Sequence, residues 1–526
     1  MAGLVRNRVL ALVTAVAVVG FGAAVITRAG AGEWAGSGVF TSGDVGFAEG
    51  GIRASMVDEF DGMDAYVGAK KPIVRVDLNW GHVEETPCPN PCPGGMQWDQ
   101  IDPIVDAASA RGMRVLVVLA YAPSWAAGHD TGNWFPTDDR DWVDIVDSAV
   151  RHFGSRAQAY EVWNEPNLTP FADYGTATTR QQRIADRKKR YWELVKLAYP
   201  VVKAACPTCA VVAGASAPAG DPPTAAEMND NPNTAASWLR AGYAAGARGS
   251  FDAVAYHPYP AANSALGPNQ PQCDYYFWNG FGPPFYTDPA TGKRCGGELA
   301  EVRDVMVAGG DSAKKIWGTE IGYPTAGAGI PVLPLTAVRN YLLEAVYMWR
   351  ALDYTGPLFL YSYQDQPAGV CATDTSSSEC HYGVTTAGGV PKEPLYSDMS
   401  VALRGDFSSR LRFNQVLRRL SALRSDDSRF YLWLQGDGNL VLYQAATPTT
   451  PSIVLWKVVN RNGTRLILQA DGNLVLQNPQ QQAVWDSHSY QGPDRTATLI
   501  LQNDGNLVLY RDSDGAPIWD TGTWGH

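Results

Sequence analysis

The sequence is poor in charge, and positive charge is the scarcer kind. Charged residues make up 18% of the 526 residues, with 42 Lys and Arg against 53 Asp and Glu, so the formal net charge at pH 7 is -11. Nucleic-acid binding depends on clustered Lys and Arg that neutralise phosphates. The basic run from Arg180 to Arg190 is interpreted as the solvated face of a helix. The composition therefore argues against a nucleic-acid partner and favours an uncharged ligand.

Low-complexity stretches are also absent, and no long segment carries the charge excess typical of disorder, so the chain is expected to fold. Its length exceeds the usual size of one hydrophobic core, which predicts two or more domains. With 17 Trp and 24 Tyr, the chain is rich in flat rings that suit stacking on sugars, although most such rings belong to a core.

The N-terminal residues have the pattern of an export signal. Arg6 and Arg8 precede an apolar run, Val9 to Ile26, and a small-residue cleavage site follows at Ala29 to Ala31. The prediction is a signal peptide over residues 1–31 and a secreted, extracellular mature protein. Because 18 apolar residues are just enough to cross a bilayer, the alternative is a retained anchor and association with the membrane or cell wall.

Eight cysteines fall into four local sets, and in an exported chain such sets predict disulfides that each close a loop. The sets are Cys88 with Cys92, Cys206 with Cys209, Cys273 with Cys295, and Cys371 with Cys380. Zinc is the competing interpretation, but the sets lie far apart along the chain and only one has the CxxC spacing. His129, His152 and His381 are isolated and are interpreted as surface or loop residues, so neither a metal nor another cofactor is predicted.

Residues 37–404 alternate short apolar, β-branched runs with longer amphipathic stretches, which is the pattern of βα units around a parallel sheet. Eight strands over this length fit a closed (β/α)8 barrel, a TIM barrel, better than an open sheet. The predicted strands, of which the first has the weakest signal, are Gly38–Thr41, Ile73–Trp80, Arg114–Pro123, Ala157–Glu165, Ala210–Ser216, Phe251–Tyr259, Lys315–Tyr323 and Leu358–Gln364.

Polar and aromatic residues cluster where these strands end. The carboxyl ends of all barrel strands lie on one rim, where the following loops build the active site. The sequence therefore predicts a shared site formed by Arg75, Asn164, Glu165, His257, Tyr259, Glu320, Tyr361 and Tyr363.

Two of these residues can break a glycosidic bond. One carboxylic acid protonates the departing oxygen, while a second attacks the sugar or activates water. Glu165 and Glu320 fit these roles. The carboxylate of Glu320 is expected to be kept ionised and oriented by three neighbours, Arg75, His257 and Tyr259. The alternative is that both glutamates are scaffold residues paired with arginine.

The run Trp163-Asn164-Glu165-Pro166-Asn167 and the later Trp317-Gly318-Thr319-Glu320 resemble the retaining glycoside hydrolases of clan A. In that clan the acid/base follows strand four and the nucleophile follows strand seven. The runs Arg75 to Trp80 and Tyr121 to Trp125 most resemble the branch around glycoside hydrolase family 39, which includes β-xylosidases and biofilm-polysaccharide hydrolases.

This resemblance implies that Glu165 is the acid/base, that Glu320 is the nucleophile and that Asn164 binds the substrate 2-hydroxyl. A carboxyl spacing of about 5 Å would imply retention of the anomeric configuration. Many clan members end strand eight with a tryptophan platform, whereas this chain has Tyr361 and Tyr363, so the preferred sugar ring stays open.

After residue 404 the pattern changes to short strands with a three-fold internal repeat. Copies of Leu-Gln-x-Asp-Gly-Asn-Leu-Val-Leu begin at Leu434, Leu468 and Leu501, and Asp-Gly is a strong hairpin signal. One tryptophan follows each copy and is expected to enter a shared core: Trp456, Trp485 and Trp519. The prediction is an all-β domain over residues 417–526, joined to the barrel by a junction at 405–418.

The repeats resemble the bulb-type mannose-binding lectins, whose site motif is Gln-x-Asp-x-Asn-x-Val-x-Tyr. The resemblance implies a three-fold β-prism that binds mannose-bearing glycans. The alternative is that Asp-Gly-Asn serves only as turn chemistry. Copy two has Gln477 where tyrosine belongs, which puts its site in question. The implied sugar-binding residues are Gln435, Asp437, Asn439, Val441 and Tyr443 in copy one, Gln469, Asp471, Asn473 and Val475 in copy two, and Gln502, Asp504, Asn506, Val508 and Tyr510 in copy three.

The sequence thus predicts a secreted two-domain glycosidase that cleaves a polysaccharide or oligosaccharide by double displacement while its lectin holds mannose-bearing glycans. Two alternatives stay open: a glycan-binding protein with an inactive barrel, and a transglycosylase that uses the same carboxylates. The sugar, the linkage and the choice between internal and terminal cleavage depend on the loops and are not predicted.

Overall fold

A computed structural model describes residues 40–526 with internal gaps. The gaps are 51–52, 69–70, 89–91, 93–94, 131, 219–231, 260–285, 288–293, 296, 329–331, 367–370, 372–375, 405–408, 414–415, 420, 428, 436, 445–452, 460 and 493–494. The predicted export signal and Cys273, with its predicted partnership to Cys295, lie outside the described residues. No helix within the described ranges is long and apolar enough to cross a membrane.

Eight parallel strands close into a barrel, which confirms the predicted fold of the first domain. Going around the barrel, the strand order is β1-β10-β9-β6-β5-β4-β3-β2. A short hairpin of β7 and β8 lies outside it. The strands are β1 Val45–Ala48, β2 Ile73–Asn79, β3 Arg114–Ala120, β4 Ala159–Val162, β5 Ala210–Ser216, β6 Ala253–Tyr256, β7 Tyr286–Thr287, β8 Arg294–Cys295, β9 Lys315–Ile321 and β10 Thr355–Leu360.

The first strand was predicted wrongly at Gly38–Thr41. The first barrel strand is instead Val45–Ala48. This run has only four residues, and the glycine within it makes the sequence pattern resemble that of a turn. Gly46 is required there because a Cβ at this position would lie 2.1 Å from the ring of Phe359 on β10. The predicted start of the last strand at Leu358 is also late, because β10 already begins at Thr355.

Helices surround the barrel and cover the apolar outer face of its strands. They are α1 Met56–Val67, α2 Trp80–Val83, α3 Asp102–Ala110, α4 Ser124–Ala127, α5 Asp139–Phe153, α6 Arg180–Ala205, α7 Ala235–Ala244, α8 Glu298–Ala308, α9 Leu335–Ala351 and α10 Leu395–Arg404. Small side chains such as Ala159, Ala210 and Ala253 fill the barrel interior together with Trp317. The barrel is therefore a packed core, and its chemistry is confined to the rim.

Three of the four predicted disulfides are present and each closes a local loop. They join Cys88 to Cys92, Cys206 to Cys209 and Cys371 to Cys380. The last of these fixes the segment that follows β10, next to the rim of the barrel.

The second domain is a β-prism of three four-stranded antiparallel sheets, as predicted from the repeat. Their orders are β11-β20-β21-β22, β12-β17-β18-β19 and β13-β14-β15-β16. The strands are β11 Arg410–Arg412, β12 Val416–Arg418, β13 Ser421–Arg424, β14 Phe430–Leu434, β15 Leu440–Gln444, β16 Ile453–Val458, β17 Arg465–Leu468, β18 Leu474–Gln477, β19 Ala483–Asp486, β20 Ala497–Leu501, β21 Leu507–Arg511 and β22 Pro517–Asp520.

The turn of each repeat requires its glycine. Gly438, Gly472 and Gly505 have φ values of 84°, 79° and 88°, in the left-handed region that side chains disfavour. The three repeat tryptophans form the predicted shared cluster, with ring centroids 5.6 to 5.9 Å apart and edge-to-face geometry.

The predicted junction at residues 405–418 is too long. Arg410–Arg412 and Val416–Arg418 are already strands of the prism, paired with β20 and β17. Runs of three residues are too short to show alternation, so the sequence pattern could not reveal them. Each of the strands β11, β12 and β13 completes a different sheet.

Candidate active site and sugar-binding sites

The two predicted catalytic carboxylates meet at the rim of the barrel. Glu165 follows β4 and Glu320 lies on β9, so parallel strands bring residues far apart in sequence to the same end. One oxygen of each carboxylate and a ring nitrogen of His257 all lie within 4.8 Å of one another. Glu165 is buried, whereas the Glu320 side chain is 13% exposed.

Arg75 is the centre of the hydrogen-bond network below these carboxylates. Its Nη1 donates to Glu320 Oε1 at 2.7 Å, and its Nη2 donates to Asn164 Oδ1 at 2.8 Å. Its Nε and Nη2 also donate to the two oxygens of Glu161, at 3.0 and 3.2 Å. The guanidinium therefore fixes three side chains with one rigid fork.

Glu161 was missed by the sequence reasoning. It is fully buried on β4, where it also accepts a hydrogen bond from Thr319 Oγ1 at 3.3 Å. The sequence did contain a signal for Glu161, because it is a charged residue within the short apolar strand Ala159–Val162. A buried carboxylate needs a cation, so its position predicts a buried basic partner.

The other oxygen of Glu320 accepts a hydrogen bond from the hydroxyl of Tyr259 at 2.8 Å. His257 is placed differently from the prediction, since its Nδ1 lies 2.9 Å from Glu165 Oε1 and 3.6 Å from Glu320 Oε2. Arg75 and Tyr259 thus orient Glu320, while His257 orients Glu165.

The surroundings of Glu165 favour its protonated form. Burial raises the pKa of Glu165, and the hydrogen bond and charge of His257 oppose that rise only in part. Burial tends to lower the pKa of His257, but the neighbouring Glu320 and Glu165 raise it overall. The site can therefore hold a proton between Glu165 and His257, beside a carboxylate bonded to arginine.

The backbone around Glu165 is held in an uncommon conformation. Trp163 and Glu165 have φ values of 65° and 39°, which side-chain-bearing residues adopt at an energetic cost. The Glu165 amide donates to Ala215 O at 3.1 Å, and Trp163 Nε1 donates to Phe171 O at 2.8 Å. These contacts fix the turn that aims the carboxyl group into the site.

An aromatic wall stands beside Glu320. The ring of Tyr361 packs edge to face against Tyr259 and Tyr382, with centroids 6.3 and 5.1 Å apart. Tyr382 was missed because it lies in a loop that follows the last strand. The sequence offered only the nearby Cys380 as a sign that this loop is fixed in place.

The prediction that Tyr363 lines the site is wrong. Its ring is 7% exposed and packs edge to face against Phe47 and Tyr66 in the core between the barrel and α1. Strand β10 ends at Leu360, so the alternation that would place Tyr363 on the same face as Tyr361 does not extend that far.

Asp77 is a further carboxylate at the site, on β2. Its side chain is 19% exposed and accepts a hydrogen bond from the Tyr121 hydroxyl at 3.3 Å. Burial raises the pKa of Asp77, although Arg75 lowers it.

Glu165, His257 and Glu320 are close enough together to be tested as metal ligands. The same Glu320 carboxylate, however, accepts hydrogen bonds from Arg75 and Tyr259. A guanidinium 2.7 Å away opposes a second cation there, so this donor set fits acid–base chemistry better than a metal ion.

The lectin motifs differ among the three copies. In copies one and three, glutamine Nε2 donates to the motif tyrosine, Gln435 to Tyr443 at 2.9 Å and Gln502 to Tyr510 at 2.8 Å. Copy two has Gln477 at that position, and its Oε1 accepts instead from Arg465 Nε at 2.6 Å. Copy two therefore lacks one polar group of the motif.

The motif asparagines of copies two and three are each fixed by two hydrogen bonds to the side-chain oxygen. Asn506 Oδ1 accepts from Thr521 Oγ1 and Thr523 N, both at 3.1 Å, and Asn473 Oδ1 accepts from Ser487 Oγ and Ser489 N at the same distances. In copy one, the position of Thr521 is taken by Val458, and Asn439 Nδ2 donates to Asp437 Oδ2 at 2.6 Å.

Other motif residues also stabilise the turns and the core. Asp437, Asp471 and Asp504 each accept a hydrogen bond at 2.9 Å from the amide two residues further on. The motif valines Val441, Val475 and Val508 are 3 to 4% exposed. The aspartates therefore form part of the turns whether or not a sugar binds.

Comparison with known proteins identifies the second domain. No protein-family model matches the chain. A mannose-specific lectin from Aloe arborescens is 40% identical over 94 residues, which cover 17% of this chain and 76% of that lectin. Through this segment the chain belongs to the mannose-specific lectin family. A mannose-binding lectin from Gastrodia elata is 32% identical and covers 22% of this chain and 99% of its own, with a TM-score of 0.20.

Over most of its length, the chain is similar in fold to a glycosidase. A family 39 glycoside hydrolase from Bacteroides cellulosilyticus WH2 is 19% identical and covers 84% of this chain and 73% of that one, with a TM-score of 0.51. The predicted resemblance in fold is confirmed.

Proposed function

We propose that the chain is an exported, retaining glycoside hydrolase that cleaves O-glycosidic bonds of a polysaccharide, while its lectin domain binds mannose-bearing glycans. The observation that carries this proposal is the approach of a Glu165 oxygen to a Glu320 oxygen within 4.8 Å. Carboxyl groups about 5 to 5.5 Å apart are typical of double displacement, whereas inverting enzymes need more space for a water molecule.

The contacts of each carboxylate suggest its role. Glu320 is the nucleophile, because Arg75 and Tyr259 orient its two oxygens, each with one hydrogen bond. Glu165 is the acid, because burial favours its protonated form and His257 Nδ1 fixes one oxygen. Glu165 protonates the departing oxygen as Glu320 attacks the anomeric carbon, and then takes a proton from the water that releases the sugar.

The proposed export is supported by the apolar N-terminal run and by three disulfides in the described part of the chain. The lectin domain would keep the barrel close to its substrate, which raises the local substrate concentration without altering the chemistry.

Product analysis with purified full-length chain tests this function. Neutral and acidic polysaccharides from plants, fungi and bacteria are incubated with wild type, Glu165→Ala and Glu320→Gln, and new reducing ends are counted. We expect both substitutions to lower turnover by at least about 10³-fold, because each removes a group that acts on the reacting atoms. Glu193→Gln, on the outer helix α6, is the matched control and should retain full turnover.

The stereochemistry and the fate of the glycosyl group separate the remaining possibilities. NMR of the first product should show the substrate's own anomeric configuration, and an inverted product would refute double displacement. Transfer to an added acceptor sugar in place of hydrolysis would identify a transglycosylase. Glycan binding by the barrel without any cleavage would identify an inactive binding protein.

A further inference from the structure

A loop outside the predicted site brings another carboxylate to the rim. The 3-10 turn Ser378–His381 is fixed by the disulfide between Cys371 and Cys380, and Thr325 donates through its amide and hydroxyl to His381 O at 2.9 and 3.0 Å. The next residue, Tyr382, packs on the aromatic wall beside Glu320. The loop that contains Glu379 is therefore a fixed part of the active-site rim.

The Glu379 side chain is exposed on this loop. In the part of the chain that the structure describes, no hydrogen-bond donor or cation contacts it, although the Glu379 amide donates to Ser377 Oγ. Partial desolvation by the surrounding protein raises the pKa of Glu379 although its side chain reaches solvent, and the charges of Glu320 and Glu165 raise it further. An acceptor on this rim loop that lacks a donor among the described residues can meet a substrate.

The described residues around the reacting pair offer no spare positive charge. The donors of Arg75 that face this site are used by Glu161, Asn164 and Glu320. His257 Nδ1 is used by Glu165, and its Nε2 is buried. Among the described residues, a carboxylated or sulfated sugar would therefore meet acidic groups and no guanidinium or ammonium that is left to pair with it.

We propose that Glu379 is a specificity-determining residue that accepts hydrogen bonds from the hydroxyl groups of an uncharged sugar and repels sugars that carry carboxylate or sulfate groups. This inference rests on the proposed function, and it identifies the substrate as a glycan of uncharged sugars. Asp77, which lies on β2, adds to the repulsion of anionic sugars.

Binding to the full chain carrying Glu320→Gln tests the inference without requiring turnover. Titration calorimetry is carried out with neutral xylo-, gluco- and manno-oligosaccharides and with oligogalacturonides, in saturating methyl α-mannoside to occupy the lectin domain. We expect at least one neutral oligosaccharide to bind at least about tenfold more tightly than any oligogalacturonide. Adding Glu379→Gln should lower the affinity for that neutral oligosaccharide about tenfold, because a charged hydrogen-bond acceptor is lost.

A second readout separates substrate contact from a merely structural role. Removing the charge of Glu379 should lower the pKa of Glu165, so the alkaline limb of kcat/KM in the Glu379→Gln enzyme should move to lower pH. Adding Glu193→Gln instead should change neither the affinity nor the pH profile. Equal affinity for oligogalacturonides, no binding of any neutral oligosaccharide, or an unchanged affinity in Glu379→Gln would overturn the inference.

The two proposals fail in different ways. Wild type that cleaves no glycan, while Glu320→Gln still prefers neutral ligands, refutes the hydrolase and leaves the charge preference standing. Wild type that cleaves polygalacturonate refutes the charge preference and leaves the hydrolase standing.

Discussion

Replacing Arg75 with methionine should destabilise the barrel strongly, because the arginine is the cation for a carboxylate that has no access to water. The Glu161 side chain is 0% exposed and accepts two hydrogen bonds from the guanidinium, at 3.0 and 3.2 Å. Of these three hydrogen bonds to Glu161, the substitution would leave the 3.3 Å bond from Thr319. Removing one partner of a buried ion pair costs about 3 to 5 kcal/mol, and we expect a loss in that range.

Urea unfolding of the full chain measures this loss. If the lectin domain binds methyl α-mannoside as proposed, the sugar should stabilise that domain, and the transition that it leaves unchanged is assigned to the barrel. The double substitution Arg75→Met with Glu161→Gln also removes the charge that has no access to water, while the partly exposed Glu320 still lacks its arginine, and it should recover more than half of the lost stability. A loss below about 1 kcal/mol in Arg75→Met, or no recovery in the double variant, would refute the reasoning.

The remaining predictions concern protonation and sugar binding. His257→Gln should move the alkaline limb of kcat/KM to higher pH, because in the wild type the His257 ring lowers the pKa of Glu165. A limb at the same pH in the variant would contradict this prediction. Burial raises the pKa of Glu49 to about 8, so the folded barrel keeps a proton that the unfolded chain loses above about pH 4.5. The free energy of unfolding should therefore fall as pH rises towards 8, by at most about 1.4 kcal/mol per unit, and Glu49→Gln should flatten that slope in urea titrations. In calorimetry with methyl α-mannoside, Asn506→Ala should lower the number or affinity of sites, whereas an equal loss in Asn473→Ala would show that copy two binds despite Gln477.

The positions of the two catalytic candidates could be predicted because they depend on local patterns and on one rule of topology. A run such as Arg114 to Ala120 is apolar enough to identify a buried strand, and parallel strands place their carboxyl ends on one rim. Once Glu165 and Glu320 are assigned to strand ends, their proximity follows. The proximity of the two carboxylates does not depend on their spacing along the chain.

The errors occur where a residue's role depends on non-local packing. The alternation of a strand predicts the face of Tyr361 but fails beyond Leu360, where the chain turns and Tyr363 enters the core. Glu379 lies in a loop without periodicity, and only the fold brings that loop to the reacting pair. The strands at 410–412 and 416–418 are recognisable only through their partners in the third and second repeats.

The early start of the prism limits how far the two domains can separate. Helix α10 ends at Arg404 and the first prism strand begins at Arg410, so the five intervening residues can span only about 20 Å even when fully extended. A lectin domain bound to one glycan chain would therefore keep the barrel within a short distance of that chain. If the proposed function holds, cleavage would be confined to a small region around each bound glycan, and cleavage elsewhere would require the lectin to dissociate and bind again.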